Sequence, residues 1–421
     1  MGNRNGKSNR PSLPKVQRVE MTETHIRARV IVFALLLVLG IGALIWGVVR
    51  FFSTESGWRE IKAETKEENL AGEVFFYYDV GASGASAGTE YRQVRAAYTE
   101  ASVFAYRLFH ATEEFAGVYN LAYFNRHVNE PVTVDAALYR ALEQIVASGD
   151  RTVFRAPYYD DYQNLFFCTD VSQIRDFDPL LNETVAARYA EFAIYVNDPN
   201  AVWIELLGEN RACLHVSQDY LICARANGVS TFVNLFRLRN AFTLDYIADV
   251  LTEKGYTNGA LSSFDGYIRN LDARGTSFSL NLYDREGTAL YQGGILVYDR
   301  PMSIVTLRDY EMNELDNMNY FTVEGTDVRH PYINGNGYCQ ASIPQVVATS
   351  ETAGCAEIAL RISSIYIAPS FDPEAFLALR SDGIGGIYCV ERVFYRTDPA
   401  LTVTELYSAD GVRYTTETVG N

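Results

Sequence analysis

Residues 232–268 read FVNLFRLRNAFTLDYIADVLTEKGYTNGALSSFDGYI, and this stretch decides the fold class. Phe242, Tyr246, Ile247, Val250 and Leu251 recur at helical spacing. Gly255 stands where a left-handed C-terminal cap belongs, and Asp265-Gly266 supplies a turn. Upstream, residues 200–236 divide into AVWIELL, RACLHVS, YLICARA and STFVNLF, separated by the turn signals GEN, QD and NG. That spacing predicts a meander of strands. Downstream, strands are expected at 277–284, 290–297, 342–348 and 361–367. Asp372 before Pro373 and Glu374 marks the cap and first turn of a short helix.

Towards the N-terminus, Glu73 to Val80 (EVFFYYDV) reads as the strand that opens the folded region near Gly72. GASGASAG at 81–88 has no lysine and no GxGxxG, so it reads as a flexible turn rather than a phosphate cradle. Val94, Ala97, Tyr98, Ala101, Phe104, Ala105, Leu108 and Phe115 predict a helix to about residue 116, and a second is expected at about 134–148. Helices and antiparallel strands alternate without a βαβ rhythm, which gives an α+β class. The 29 tyrosines and 23 phenylalanines agree with a strand-rich body.

Val30 to Val49 (VIVFALLLVLGIGALIWGVV) is uncharged and bounded by Arg27, Arg29 and Arg50. Twenty residues at about 1.5 Å each span roughly the 30 Å hydrocarbon layer. Lys and Arg crowd the segment before it, so the positive-inside rule puts residues 1–29 in the cytoplasm as a basic tail. The long basic lead and the lack of a small-x-small site favour a retained transmembrane helix over a cleaved signal. No cysteine follows for a lipid anchor, and Gly6 stands where myristoylation requires Ser or Thr. The expected plan is a tail (1–29), a transmembrane helix (30–49), a charged stalk (50–72) and an extracytoplasmic domain (73–421).

Of 36 Lys/Arg and 52 Asp/Glu, residues 1–50 hold eight and two, so the rest carries 28 against 50, a net charge of −22. A body that acidic repels phosphate backbones, which argues against nucleic acid as a partner. All six cysteines lie beyond the apolar run, where disulfides are permitted. Cys213 and Cys223 can face each other across the expected hairpin, and Cys339 and Cys355 form another candidate pair. Scattered buried thiols are the reading preferred over either pair.

Three further pieces flank the opening stretch: LFHATEEFAGVYNLAYFNRHVNEPVTVDAALYRALEQI (108–145), IVTLRDYEM…YFTVEGTDVRHPYINGNGY (304–338) and SIPQVVATSETAGCAEIAL (342–360). With residues 232–268, their order and spacing resemble the FAD:protein FMN transferase family, the ApbE family. Its members are extracytoplasmic proteins that cut FAD with Mg²⁺ and attach FMN to a Ser or Thr of a partner redox protein. The resemblance implies FAD and Mg²⁺ as cofactors, a flavin-acceptor protein as partner, and a membrane-bound transferase as the function.

The same resemblance assigns the site residues. Phe236 and Arg237 stand at the family's glycine pair, with Arg239 beside them, and Asn240 stands at its lysine. Phe264, Asp265 and Gly266 match the later "GG" turn, and Asp309 lies in the third piece. His330 and Gly337 match the histidine and final glycine of "HIIDPxTG", with Ile333, Asn334 and Asn336 between them. Glu357 matches the metal-site Asp of "ADALAT", and Arg361 replaces its Thr. His330 and Asn240 are thus the candidate catalytic residues and Glu357 the candidate metal ligand. Because several of these positions depart from the family pattern, a flavin-binding or protein-binding module without catalysis is the alternative reading. A tethered interaction domain with no ligand is a third.

Overall fold

The computed structural model describes residues 55–65 and 73–420, apart from 85, 288, 313–315, 317, 324, 326 and 410. The apolar run 30–49 and the basic tail lie outside the described residues. No described helix is long and apolar enough to cross a membrane.

The main elements, in chain order, are β1 (Gly57–Glu60), β2 (Val74–Val80), α1 (Ala87–Phe109), α2 (Ala136–Ser148), α3 (Ala156–Phe166) and α4 (Glu183–Val196). Next come β3 (Val202–Gly208), β4 (Arg211–Val216), α5 (Gln218–Ala226), α6 (Arg239–Glu253), β5 (Gly259–Ser263), β6 (Tyr267–Asn270), β7 (Phe278–Glu286) and β8 (Ala289–Tyr298). The rest are β9 (Met302–Arg308), β10 (Gln345–Ser350), α7 (Cys355–Tyr366), β11 (Gly385–Val390), β12 (Val393–Arg396), β13 (Thr402–Thr404) and β14 (Thr415–Thr418). A short helix, Pro373–Ala378, starts at the expected Asp372 cap, whose carboxylate accepts from Glu374 N and Ala375 N.

Among the described residues one nine-stranded sheet dominates, ordered β1-β2-β5-β6-β9-β10-β11-β12-β14 and antiparallel except for β12 with β14. β9 is buried along its whole length because both faces are covered. Val305, Leu307, Val346 and Ala348 join the core beneath α6 and α7. Ile304, Val347 and Ile387 face the other way, onto Leu282 and Leu296 of a three-stranded sheet ordered β13-β8-β7. The α+β class expected from the sequence is what the chain adopts.

Four expectations change. The expected stalk contains β1, which pairs with β2 and is followed by Ile61, 1 % exposed in the core. A lone isoleucine among charges hid that strand. The first long helix stops at Phe109 rather than 116, because His110 turns extended and Asn120 Nδ2 binds the carbonyls of Arg107 and Glu113.

The four-strand meander is only β3 and β4. Ser217 then caps α5, and Tyr220, Cys223 and Ala224 bury one helical face. Residues 230–235 are irregular. Finally, the strand expected at 361–367 belongs to helix α7. All six cysteines are free thiols, and Cys223 lies on α5 rather than across a hairpin from Cys213.

Candidate functional site

The entry into α6 builds the site. Asn125 fixes the preceding loop through its side chain: Nδ2 donates to Val233 O (2.8 Å), while Oδ1 accepts from Val233 N (2.9 Å). Asn234 Oδ1 then accepts from Phe236 N at 2.9 Å, closing a local turn. That turn holds Phe236 at φ +44°, a left-handed conformation which bulky side chains rarely adopt. The Phe236 ring stacks on Tyr159, with centroids 4.3 Å apart and planes 9° apart.

Arg237 follows, 5 % exposed. Its Nη2 donates to Ser363 Oγ at 2.6 Å, and its guanidinium lies 4.9 Å from the centre of the Tyr332 ring. Nε and Nη1 have no partner among the described residues, and no carboxylate lies within 4.0 Å. Arg239, by contrast, is paired with Glu73. Asn240 Nδ2 donates to Asp265 Oδ2 at 3.0 Å, leaving Asp265 Oδ1 without a partner. Burial pushes the Asp265 carboxyl up to about 6. Gly266 holds this turn against β9: at φ +104°, a Cβ there would meet Thr306 O at 2.4 Å.

Beside them lies one cavity of about 310 Å³, at the lower end of the range for sites that take drug-sized ligands. Six of the eleven sequence-derived candidates meet there: Phe236, Arg237, Arg239, Asn240, Phe264 and Asp265. The remaining wall comes from residues that sequence reasoning did not select. Phe109 and His110 arrive from the end of α1, Phe166 and Phe167 from the end of α3, and Glu73 from just before β2. Phe167 is 60 % exposed and Met318 40 % exposed, so apolar side chains are open to solvent on this wall. His110 Nδ1 accepts from Glu113 N at 3.0 Å, and burial lowers the pKa of its ring.

The three-dimensional likeness follows from this arrangement. The ApbE protein from Thermotoga maritima superimposes with a TM-score of 0.52 at 16% identity, covering 83% of this chain and 97% of its own. The flavin transferase ApbE from Vibrio cholerae gives 0.52 at 13% identity, covering 85% and 98%. This is the ApbE fold. No protein-family model matches the sequence, and no curated protein sequence matches it.

The remaining positions assigned by the ApbE resemblance are not among the residues that line the cavity. His330 is buried, and Tyr332 N approaches its Nδ1 at 3.3 Å. Burial, with Arg285, Arg329 and Arg237 nearby, lowers its pKa to about 3, so the ring is neutral at physiological pH. Gly337 serves packing: at φ +85°, a Cβ would strike Tyr189 at 2.4 Å. Asp309 is buried and paired with Arg285 at 2.6 Å.

Glu357 sits in the first turn of α7 and lines a different depression, together with Gln144, Ser148 and Arg361. The start of α7 is already occupied. Asp245 accepts from Cys355 N (2.9 Å) and Ala356 N (2.8 Å), and Arg269 stands 3.4 Å from the same carboxylate. Among the described residues, no three His, Cys, Asp or Glu side chains converge as metal ligands. At the cavity, Glu73 is engaged by Arg239 and Asp265 Oδ2 by Asn240, and the third carboxylate, Asp160, does not converge with them on a common point. A Mg²⁺ ion needs near-octahedral oxygen donors, and these side chains do not supply them.

Proposed function

We propose that this chain is a membrane-tethered flavin-nucleotide-binding protein that does not carry out Mg²⁺-dependent FMN transfer. One observation carries the reading: Arg237, whose buried Nε and Nη1 have no partner among the described residues, belongs to the lining of a cavity that also takes in five phenylalanines. Flavin nucleotides join a flat, largely apolar ring to anionic phosphate, and such a cavity complements both parts. The ApbE fold, in which the Vibrio cholerae relative is a flavin transferase, supplies the ligand class.

Transfer needs more than binding. It requires charge stabilisation at the pyrophosphate and a group that activates the incoming hydroxyl. Asn240 carries no charge and is engaged by Asp265. His330 is neutral, has a depressed pKa, and is not among the cavity-lining residues. The tether is the uncharged run 30–49, with its basic flank on the cytoplasmic side and the acidic domain beyond the membrane.

The test is a fluorescence titration of the detergent-solubilised full chain with FMN and FAD. Saturable quenching, with no covalent flavin on added acceptor protein in the presence of Mg²⁺, is the expected outcome. Flavin that becomes covalently attached to the acceptor returns the protein to the transferases.

A further inference from the structure

The cavity lacks a donor set for a divalent cation, yet it contains a buried cation of its own. We infer that phosphate binds directly to Arg237, with no metal ion between them. This deepens the flavin-binding reading in its choice of ligand, but the recognition of phosphate stands on the cavity alone.

Three observations converge. Arg237 Nε and Nη1 are buried without a hydrogen-bond partner among the described residues, although burying an unpaired charge is costly and natural proteins ordinarily pair it. Its hydrogen-bond partner, Ser363 Oγ, is neutral, and Asp150 acts on the charge only from beyond ion-pair distance. Of the carboxylates on the cavity wall, Glu73 is paired with Arg239 and Asp265 accepts from Asn240 through one oxygen, and none of them, Asp160 included, forms an ion pair with Arg237 among the described residues.

A fixed guanidinium screened from water exerts a strong field on its cavity, because the effective dielectric there is far below that of water. Its planar N–H groups match phosphate oxygens, which a hydrated ammonium does less well. Tyr332 beneath the guanidinium and Ser363 at Nη2 fix its position, so little side-chain freedom is lost on binding.

The experiment uses the full-length chain in detergent micelles and three probes: FMN, riboflavin and inorganic pyrophosphate. FMN is expected to bind at least about tenfold more tightly than riboflavin, equally in EDTA and in Mg²⁺. R237Q should erase that preference, while R237K keeps part of it. A Mg²⁺ requirement for the preference, seen in the unaltered chain, overturns the inference without any variant.

Pyrophosphate separates this inference from the flavin reading. If it binds the unaltered chain but not R237Q while no flavin binds, Arg237 is the phosphate site and the flavin assignment fails. If neither flavin nor pyrophosphate binds, both fall.

Discussion

The Phe236 ring lies parallel to Tyr159 at 4.3 Å while its own backbone sits at φ +44°. The stack thus holds a backbone geometry that favours glycine.

Substitutions at Phe236 therefore follow an unusual order. Phe236→Ala loses the stack and keeps the strain, whereas Phe236→Gly loses the stack and removes the strain. The glycine variant should be the more stable of the two by about 1 kcal/mol, the reverse of the usual Ala-over-Gly order. Denaturant unfolding of both variants measures this. Greater stability of the alanine variant contradicts it.

Asp265 makes the cavity sensitive to pH. Burial, reinforced by Glu73, lifts its carboxyl to about 6 against the opposing influence of its polar neighbours Ser263 and Asn240. The folded state therefore holds this proton more tightly than the unfolded state. The group's contribution to stability is present below the ordinary carboxylate range and is lost as pH rises through about 6. Asp265→Asn should raise Tm at about pH 7.5 by a few degrees, with the gain shrinking below about pH 5. Phosphate-bearing ligands should also bind the unaltered chain more tightly as pH falls through about 6, and this dependence should be absent from the variant.

Asp245 is a helix cap supplied by a distant part of the chain. Asp245→Ala leaves Cys355 N and Ala356 N without their acceptor and Arg269 without its carboxylate. A loss of about 2–3 kcal/mol is expected in chemical unfolding. An unchanged midpoint would show that α7 does not depend on this contact.

The buried pair Arg329–Asp178 has side chains 6% and 0% exposed, with Nε 2.8 Å from Oδ2. Removing only the acid, as in Asp178→Ala, should cost about 3–5 kcal/mol because the guanidinium stays buried alone. Replacing both partners with apolar residues should recover part of that cost, and a double-mutant cycle measures the difference.

The residues near one another in sequence were legible. Phe242 to Leu251 carry their own helical period, and six site candidates lie between 236 and 265, so a single motif brought them into view. What was not legible depends on distant partners. α7 looks like an apolar strand until Asp245, 110 residues away, is seen to cap it. The YLICARA segment looks like the third strand of a meander, but Ser217 turns it into a helix with a buried Tyr220 face. Phe109, His110, Phe166 and Phe167 give no local sign of a site, because helix ends that meet only in the fold place them there. His330 drew attention by its match to a motif, yet burial among arginines leaves it neutral.

The most direct test of non-catalytic flavin binding follows the fate of FAD itself. The full-length chain is incubated with FAD and Mg²⁺, and the bound and free nucleotides are separated by chromatography. The account predicts intact FAD retained by the protein, with no AMP formed beyond that in the R237Q control. AMP released in step with protein concentration, or no flavin retained at all, would contradict it.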